Sequence, residues 1–470
     1  MQTPVFSDRD NVLQALTKKF SAYNRINPSD YGRFNVKRGL RNSDGTGVMV
    51  GLTRICSVEG YYIDDGERIP KDGRLIYRGV DLNDLVKGCR AEDRFGYEEL
   101  IYLLLFGILP TQAEMDAFND LLSQNRELPF DFVEDVIMRA PSPDIMNKMG
   151  SSVNALYAYD DNPDDISPEN VLRQSIMLIS RLPAIMSYAY QVKRRYFYKK
   201  SMYIHQIKPD QKTAEIILHS IRSDKKFTDE EAKVLDLMLM IHADHGGGNN
   251  STFSTRCVSS TGTDTYAAIA TGIGALKGPR HGGANIKVSQ MLDDIKANVS
   301  DPTDEDEVTA YLRRIVRKEA GDGSGLIYGM GHAVYTLSDP RAVLLKANAA
   351  ALAEKRGLER DWQLLNIIEK RAPEVFMQEK GVNKKICANV DLYSGLIYQA
   401  LAIPMDLYTP MFAIARIAGW CAHRLEEIAN GSKIFRPAFK SIWLPQTYVP
   451  ISERKTDPAV CEEYIPVDER

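Results

Sequence analysis

From about residue 81 onward, the apolar residues of this 470-residue chain recur at i, i+3 and i+4 in one segment after another. DLNDLVKGC, YEELIYLLLFGILP and TQAEMDAFNDLLSQ show the pattern first, each closed by Gly, Pro or a polar breaker. It returns in SPENVLRQSIMLISRLPAIMSYAYQV, TDEEAKVLDLMLMIHADH and TDTYAAIATGIGALKG. A 3.6-residue period gives each segment an apolar stripe, and helices carrying such stripes bury them by packing on one another. No strands alternate with these helices, which argues against a doubly wound sheet. The expected fold class is mainly α.

The exception lies upstream. GLTRICSVEGYYIDDGERIPKDGRLIYRGV has short β-branched and aromatic runs separated at DDG and KDG, and predicts a small β-hairpin or two with turns at those points. Residues 1–50 are polar and uneven, with one helix expected near 8–22 and a turn-rich stretch, GLRNSDGTG.

A formal charge of −4 gives no electrostatic footprint for nucleic acid or an anionic membrane. The basic-aromatic run QVKRRYFYKKSMYIHQIKP, residues 191–209, reads as a surface loop between helices. The six cysteines form no CxxC pair and suit neither a disulfide framework nor a zinc site, so reduced thiols are expected. The N-terminal residues lack the apolar core of a signal peptide, and no apolar run reaches the ~18 residues of a membrane span. A cytoplasmic protein with no nucleic-acid or membrane partner is expected.

Of the seven histidines, His205 falls in the basic run while His219 and His423 fall in helical stretches, where a structural or surface role is the default. The other four lie in or beside glycine-rich segments at helix ends, where side chains can converge on a ligand. In IHADHGGGNNSTFSTR, the residues His242, Asp244 and His245 invite a metal reading, but no HExxH or third ligand accompanies them. An imidazole donating to a substrate carboxylate suits that helix end better. In KGPRHGGAN, His281 precedes a helix beginning at Gly282–Gly283. The positive end of that helix disfavours a second ring proton, leaving a neutral donor for a developing enolate.

GLIYGMGHAVYTLSDPRA presents His332 on a glycine turn, with Arg341 nine residues on, a side chain suited to bidentate carboxylate recognition. Read alone, it is equally a loop histidine followed by a helix with Pro340 at its first position. In ICANVDLYSG, Asp391 opens a helix, as an ordinary N-cap or as a base kept from bulk water. GIGALKG has the wrong spacing for a dinucleotide loop and follows no strand.

Taken together, HGGAN, GMGHAVY…DPRA and NVDLYSG, in this order and roughly fifty to sixty residues apart, closely resemble the citrate synthase family. DHGGGN, GRLIYRGVDLNDL and IARIAGWCAHRLEE resemble it too, so the likeness runs from about residue 45 to the C-terminal region. It implies a large helical domain in two parts, 1–282 and 403–470, and a small domain, 283–402, closing over the active site. It also implies a catalytic set of Asp391, which removes the methyl proton of acetyl-CoA, His281, which donates to the thioester carbonyl, and His332, which binds the keto oxygen of oxaloacetate. Citryl-CoA hydrolysis would then yield citrate and CoA. His245, Arg341 and Arg416 match the positions that hold the two carboxylates. Arg436, in RPAF, matches an arginine supplied by the neighbouring subunit of a homodimer. No permanently bound cofactor or metal is implied, only acyl-CoA as co-substrate.

Two positions depart from the family pattern. Thr336 and Ala333 stand where many members carry basic residues facing a CoA phosphate. CoA contacts are expected instead from Gly329, Met330 and Gly331 and from Lys384, with Lys385 or Arg280. The nearest alternative is 2-methylcitrate synthase acting on propionyl-CoA, alone or alongside acetyl-CoA, since one methylene is worth only about 1–3 kcal/mol. A catalytically silent CoA-binding relative and a metal-dependent hydrolase built on HADH are the readings from other classes.

Overall fold

A computed structural model describes residues 5–24, 26–42, 44–381, 385–431, 433–443, 445 and 447–454. The chain divides into two compact units, Met1–Met49 with Arg436–Arg470, and Val50–Phe435. Within the first, the helix expected near 8–22 spans Val5–Tyr23, and a short helix, Pro28–Arg33, starts at an Asn27 cap. The GLRNSDGTG stretch closes on itself through an Arg41–Gly47 bridge. Arg436 is exposed.

The second unit is mainly α, as the periodicity predicts, with fifteen α-helices among its described residues and one small sheet. That sheet is antiparallel, β1 (Cys56–Asp64), β2 (Glu67–Tyr77) and β3 (Val80–Asp81), in the order β1-β2-β3. DDG is the expected turn: Asp65 and Gly66 both take positive φ (46° and 83°) between the paired Asp64 and Glu67, the geometry that matches strand twist. KDG is not a turn. It lies inside β2, where the register shifts between Glu59 and Tyr61. Gly73 is there because another segment presses on the sheet: a Cβ would meet the Ser338 carbonyl oxygen at 2.2 Å.

At the centre of the unit runs the helix Tyr408–Ala429, buried on every face from Tyr408 through Arg424. It packs against Tyr97–Phe106, Pro168–Tyr196, Asp229–His242, Asn250–Ser259 and Thr265–Lys277. A helix apolar on all sides belongs in a core, and the polar residues it carries there, Arg416, His423 and Arg424, need buried partners. Five later helices, Ala284–Asn298, Glu305–Val316, Pro340–Arg356, Glu359–Lys380 and Val390–Ala400, pack mainly on one another.

The basic run is only partly a loop, because Gln191–Tyr196 completes the helix Pro168–Tyr196. Gln191 is buried and donates to the carbonyls of Ser220 and Ile221, while Lys193 and Tyr198 both bind Asp406. Among the described residues no helix is long and apolar enough to cross a membrane.

Candidate active site

Five segments bring the polar residues together: the turn after Asp229–His242, the turn before Ala284–Asn298, the loop 329–341, the start of Val390–Ala400, and the central helix. The loop is tied at both ends. Gly331 N–H donates to Cys387 O (2.7 Å) and Asn389 N–H to Gly329 O (2.9 Å), so the turn carrying His332 is zipped to the segment 387–389 leading into Asp391. Gly329 (φ 82°) lies so close to the following helix that a Cβ would sit 2.9 Å from Leu392 Cα. Further along, the loop lies on the sheet. Arg68 Nη2 donates to Val334 O (3.0 Å), Gly73 N–H to Ser338 Oγ (3.1 Å), and Ser338 Oγ to Asp72 (3.0 Å).

His332 stacks on Tyr335 (ring centroids 4.6 Å) and meets the edge of His245 at 5.0 Å. Its Nδ1 accepts the backbone N–H groups of Val334 (3.0 Å) and Tyr335 (3.1 Å). An acceptor nitrogen carries no proton, so the proton of neutral His332 is on Nε2, which is therefore a donor. His245 is neutral as well: burial, then Arg341, push its pKa well below the ordinary value. Its Nε2 is buried with no hydrogen-bond partner among the described residues.

His281 takes the opposite tautomer. The Ser251 N–H, which can only donate, faces its Nε2 (3.4 Å), and the Ser251 hydroxyl lies 3.0 Å away. Trp420 Nε1–H anchors that hydroxyl at 3.2 Å. Nδ1 therefore carries the His281 proton. The ring is neutral, its pKa lowered to about 4, firstly by burial and then by Arg416, rather than by the helix end that the sequence suggests. That helix does begin at Ala284, with Gly283 as its cap.

Asp391 is not the cap of its helix. Asn389 is: its Oδ1 accepts Asp391 N–H (3.0 Å), while its Nδ2 donates to Gly331 O (2.9 Å). The Asp391 carboxylate is thus released from capping. Burial pushes its pKa up to about 6, against the pull of Arg341 and Arg416.

The two buried arginines differ. Arg341 is clamped bidentate on Asp339, the cap of its own helix, at 3.0 and 2.7 Å. Arg416 uses only Nε, donating to His242 O (2.8 Å), with its guanidinium 4.7 Å from the Phe412 ring centre. Both terminal nitrogens, Nη1 and Nη2, are buried without a hydrogen-bond partner among the described residues. Burial lowers the Arg416 pKa to about 10, which leaves it charged. It acts electrostatically on His245, His281 and Asp391 at once. A cation with two unmet donors, in the electrostatic reach of neutral histidines and a raised carboxylate, is chemically suited to a small carboxylated ligand.

Of the expected CoA contacts, the 329–331 turn uses much of its backbone to hold 387–389, Arg280 and Lys385 are exposed, and Lys384 lies outside the described residues; at the two departing positions Thr336 is half-buried and Ala333 exposed. Asn389, Ser251, Tyr335 and Asp339 join the site beyond the residues that the sequence points to. Asn389 was legible as a helix-start asparagine in NVDL; the partners of Ser251 are too distant in sequence to show.

Residues 42–438 match the family model described as "Citrate synthase, C-terminal domain". The chain is 33% identical over 410 residues to a citrate synthase of Haloferax volcanii, covering 86% of this chain and 94% of that protein. It is 32% identical to one of Synechocystis, covering 87% and 92%. Among solved structures it resembles a ternary complex of carboxymethyl coenzyme A and oxaloacetate with citrate synthase from Thermoplasma acidophilum (TM-score 0.73, 26% identity, 89% of this chain and 99% of that one).

Proposed function

Because this chain belongs to the citrate synthase family, we propose that it condenses acetyl-CoA with oxaloacetate and hydrolyses the resulting citryl-CoA to citrate and CoA. The observation that carries this reading is Arg416, whose unmet Nη1 and Nη2 share one electrostatic neighbourhood with His245, His281 and Asp391. The names of the relatives support citrate formation, and the Thermoplasma acidophilum complex with carboxymethyl coenzyme A and oxaloacetate supports a coenzyme A compound and oxaloacetate as ligands.

Oxaloacetate offers two carboxylates and a keto oxygen. Arg416, Arg341 and His245 would take the carboxylates, and His332 Nε2–H the keto oxygen, making its carbon electrophilic. Asp391 then removes a proton from the acetyl methyl group. A carboxylate is too weak a base for this alone, and His281 Nδ1–H, neutral and positioned, stabilises the enol oxygen as charge develops. The enol carbon attacks the keto carbon, and water cleaves the thioester.

Residues 283–402 would form a small domain that closes on oxaloacetate, a division supported by the way the five helices between Ala284 and Ala400 pack on each other. CoA would pass the Gly329–Gly331 turn, with Lys385, Lys384 and Arg280 meeting its phosphates. The homodimer, with Arg436 reaching the neighbouring site, follows from the family pattern. All five described cysteines are free, which supports a reducing compartment such as the cytoplasm.

Thiol release on mixing the protein with oxaloacetate and acetyl-CoA is the direct test. No release with acetyl-CoA or propionyl-CoA overturns the proposal, and faster release with propionyl-CoA transfers it to 2-methylcitrate synthesis.

A further inference from the structure

His423, set apart in the sequence as an ordinary helix residue, is fully buried two turns beyond Arg416 on the central helix. Its Nδ1 is 3.0 Å from Arg256 Nη1 and its Nε2 is 3.2 Å from Asp244 Oδ2. A guanidinium can only donate, so Nδ1 accepts and the ring proton is on Nε2, pointing at Asp244. Arg256 is fixed from behind by Glu426 (2.7 Å) and Glu427 (2.8 Å), and Glu426 by the Arg54 N–H (2.7 Å). Asp244 in turn accepts the Gly246 N–H (2.9 Å), closing the turn that carries His245. Gly419 makes room for it, since a Cβ there would meet Asp244 Oδ1 at 2.4 Å.

We propose that His423, backed by Arg256, is a positioning residue for the dicarboxylate pocket: it holds Asp244 as the carboxylate that fixes the His245 turn and partly balances Arg416. The proposal rests on the synthase reading for the identity of the ligand. Neither residue touches reacting atoms in that mechanism: Asp244 lies one step behind His245 and Arg416, His423 behind Asp244, and Arg256 behind His423. Burial alone would protonate Asp244; the His423 N–H, Arg416 and the Gly246 N–H oppose it and hold Asp244 on the ionised side. The other groups facing it are uncharged at neutral pH, namely the Cys56 thiol of β1 and the Tyr77 hydroxyl of β2, both raised by burial. Arg416 is therefore the cation whose field Asp244 tempers, and the His423 N–H keeps it able to do so.

The test compares His423→Phe, which fills the space without a donor, with His423→Gln, whose amide offers an acceptor to Arg256 and a donor to Asp244. In His423→Phe the KM for oxaloacetate is expected to rise about tenfold or more, with kcat within about threefold and the KM for acetyl-CoA unchanged. That KM should climb further as pH falls from about 8 to about 6, as Asp244 takes a proton. His423→Gln should restore it to within about threefold. Equal losses of kcat and melting temperature in both variants, with a flat pH profile, would mean a merely structural histidine and overturn the proposal. If His423→Phe does not fold, Arg256→Met frees Nδ1 while keeping the ring, and an unchanged oxaloacetate KM there overturns it equally. Absence of thiol release from the wild-type protein would instead overturn the synthase reading, and calorimetric titration of oxaloacetate into each variant would still report on the pocket.

Discussion

Asp391 owes its chemistry to its neighbour. An aspartate at a helix start ordinarily accepts backbone N–H groups and is thereby held acidic. Here Asn389 takes that role, and Asp391, two residues further in, is half-buried and raised to about 6 by desolvation. As a base it works unprotonated, so kcat/KM for acetyl-CoA should fall about tenfold per pH unit below about pH 6, measured by thiol release. Asp391→Asn should cost about a thousandfold or more in turnover while oxaloacetate still binds. The stability effect has the opposite sign. A carboxyl raised above its unfolded pKa of about 3.9 is a liability above pH 6 that disappears as pH falls below 4, so its removal should stabilise the fold at pH 8 by about 1–2 kcal/mol after allowing for partial exposure. A melting temperature that falls instead would make Asp391 a structural residue.

Between the elements, the small sheet acts as a bed for the loop that carries His332. Gly60 and Gly73 leave the space in which Val334, Tyr335 and Ser338 lie, and Arg68 and Asp72 grip the loop by hydrogen bonds. Gly73→Ala should therefore displace the loop and reduce kcat/KM for oxaloacetate by about 10–100-fold, since misplacing a catalytic group by about 1 Å costs on that order. Gly66→Ala, at the open hairpin tip, should cost about 1 kcal/mol in a denaturant titration and leave the kinetics alone. An equal kinetic effect from both would mean the sheet does not position the loop. The same contrast marks what the sequence could reveal. Helix period, the DDG turn and the three segments carrying His281, His332 and Asp391 are local signals, and the helices and that turn stand where they were expected. KDG was misread because Gly73 answers to Ser338, 265 residues away. Asp391 reads from its own segment as either a cap or a base because Asn389 and Asp391 compete for one local signature. His423 reads as an ordinary helix residue because its partners, Arg256 and Asp244, are 167 and 179 residues distant.

At the scale of the whole protein, the question is which chain completes each site. Arg436 belongs to the unit formed by Met1–Met49 and Arg436–Arg470, while His281, His332 and Asp391 belong to Val50–Phe435. The family pattern assigns Arg436 to the neighbouring subunit's pocket, and subunit mixing decides the matter. Neither Arg436→Gln nor Asp391→Asn homodimers should release thiol at an appreciable rate. Unfolded together in equal amounts and refolded, half the dimers are mixed. Each mixed dimer has one site with an intact Asp391 from one chain and an intact Arg436 from the other, and a second site lacking both. Activity should then recover to about one quarter of wild type. If each chain supplied its own Arg436, every site in every dimer would lack one residue or the other, and mixing would restore nothing.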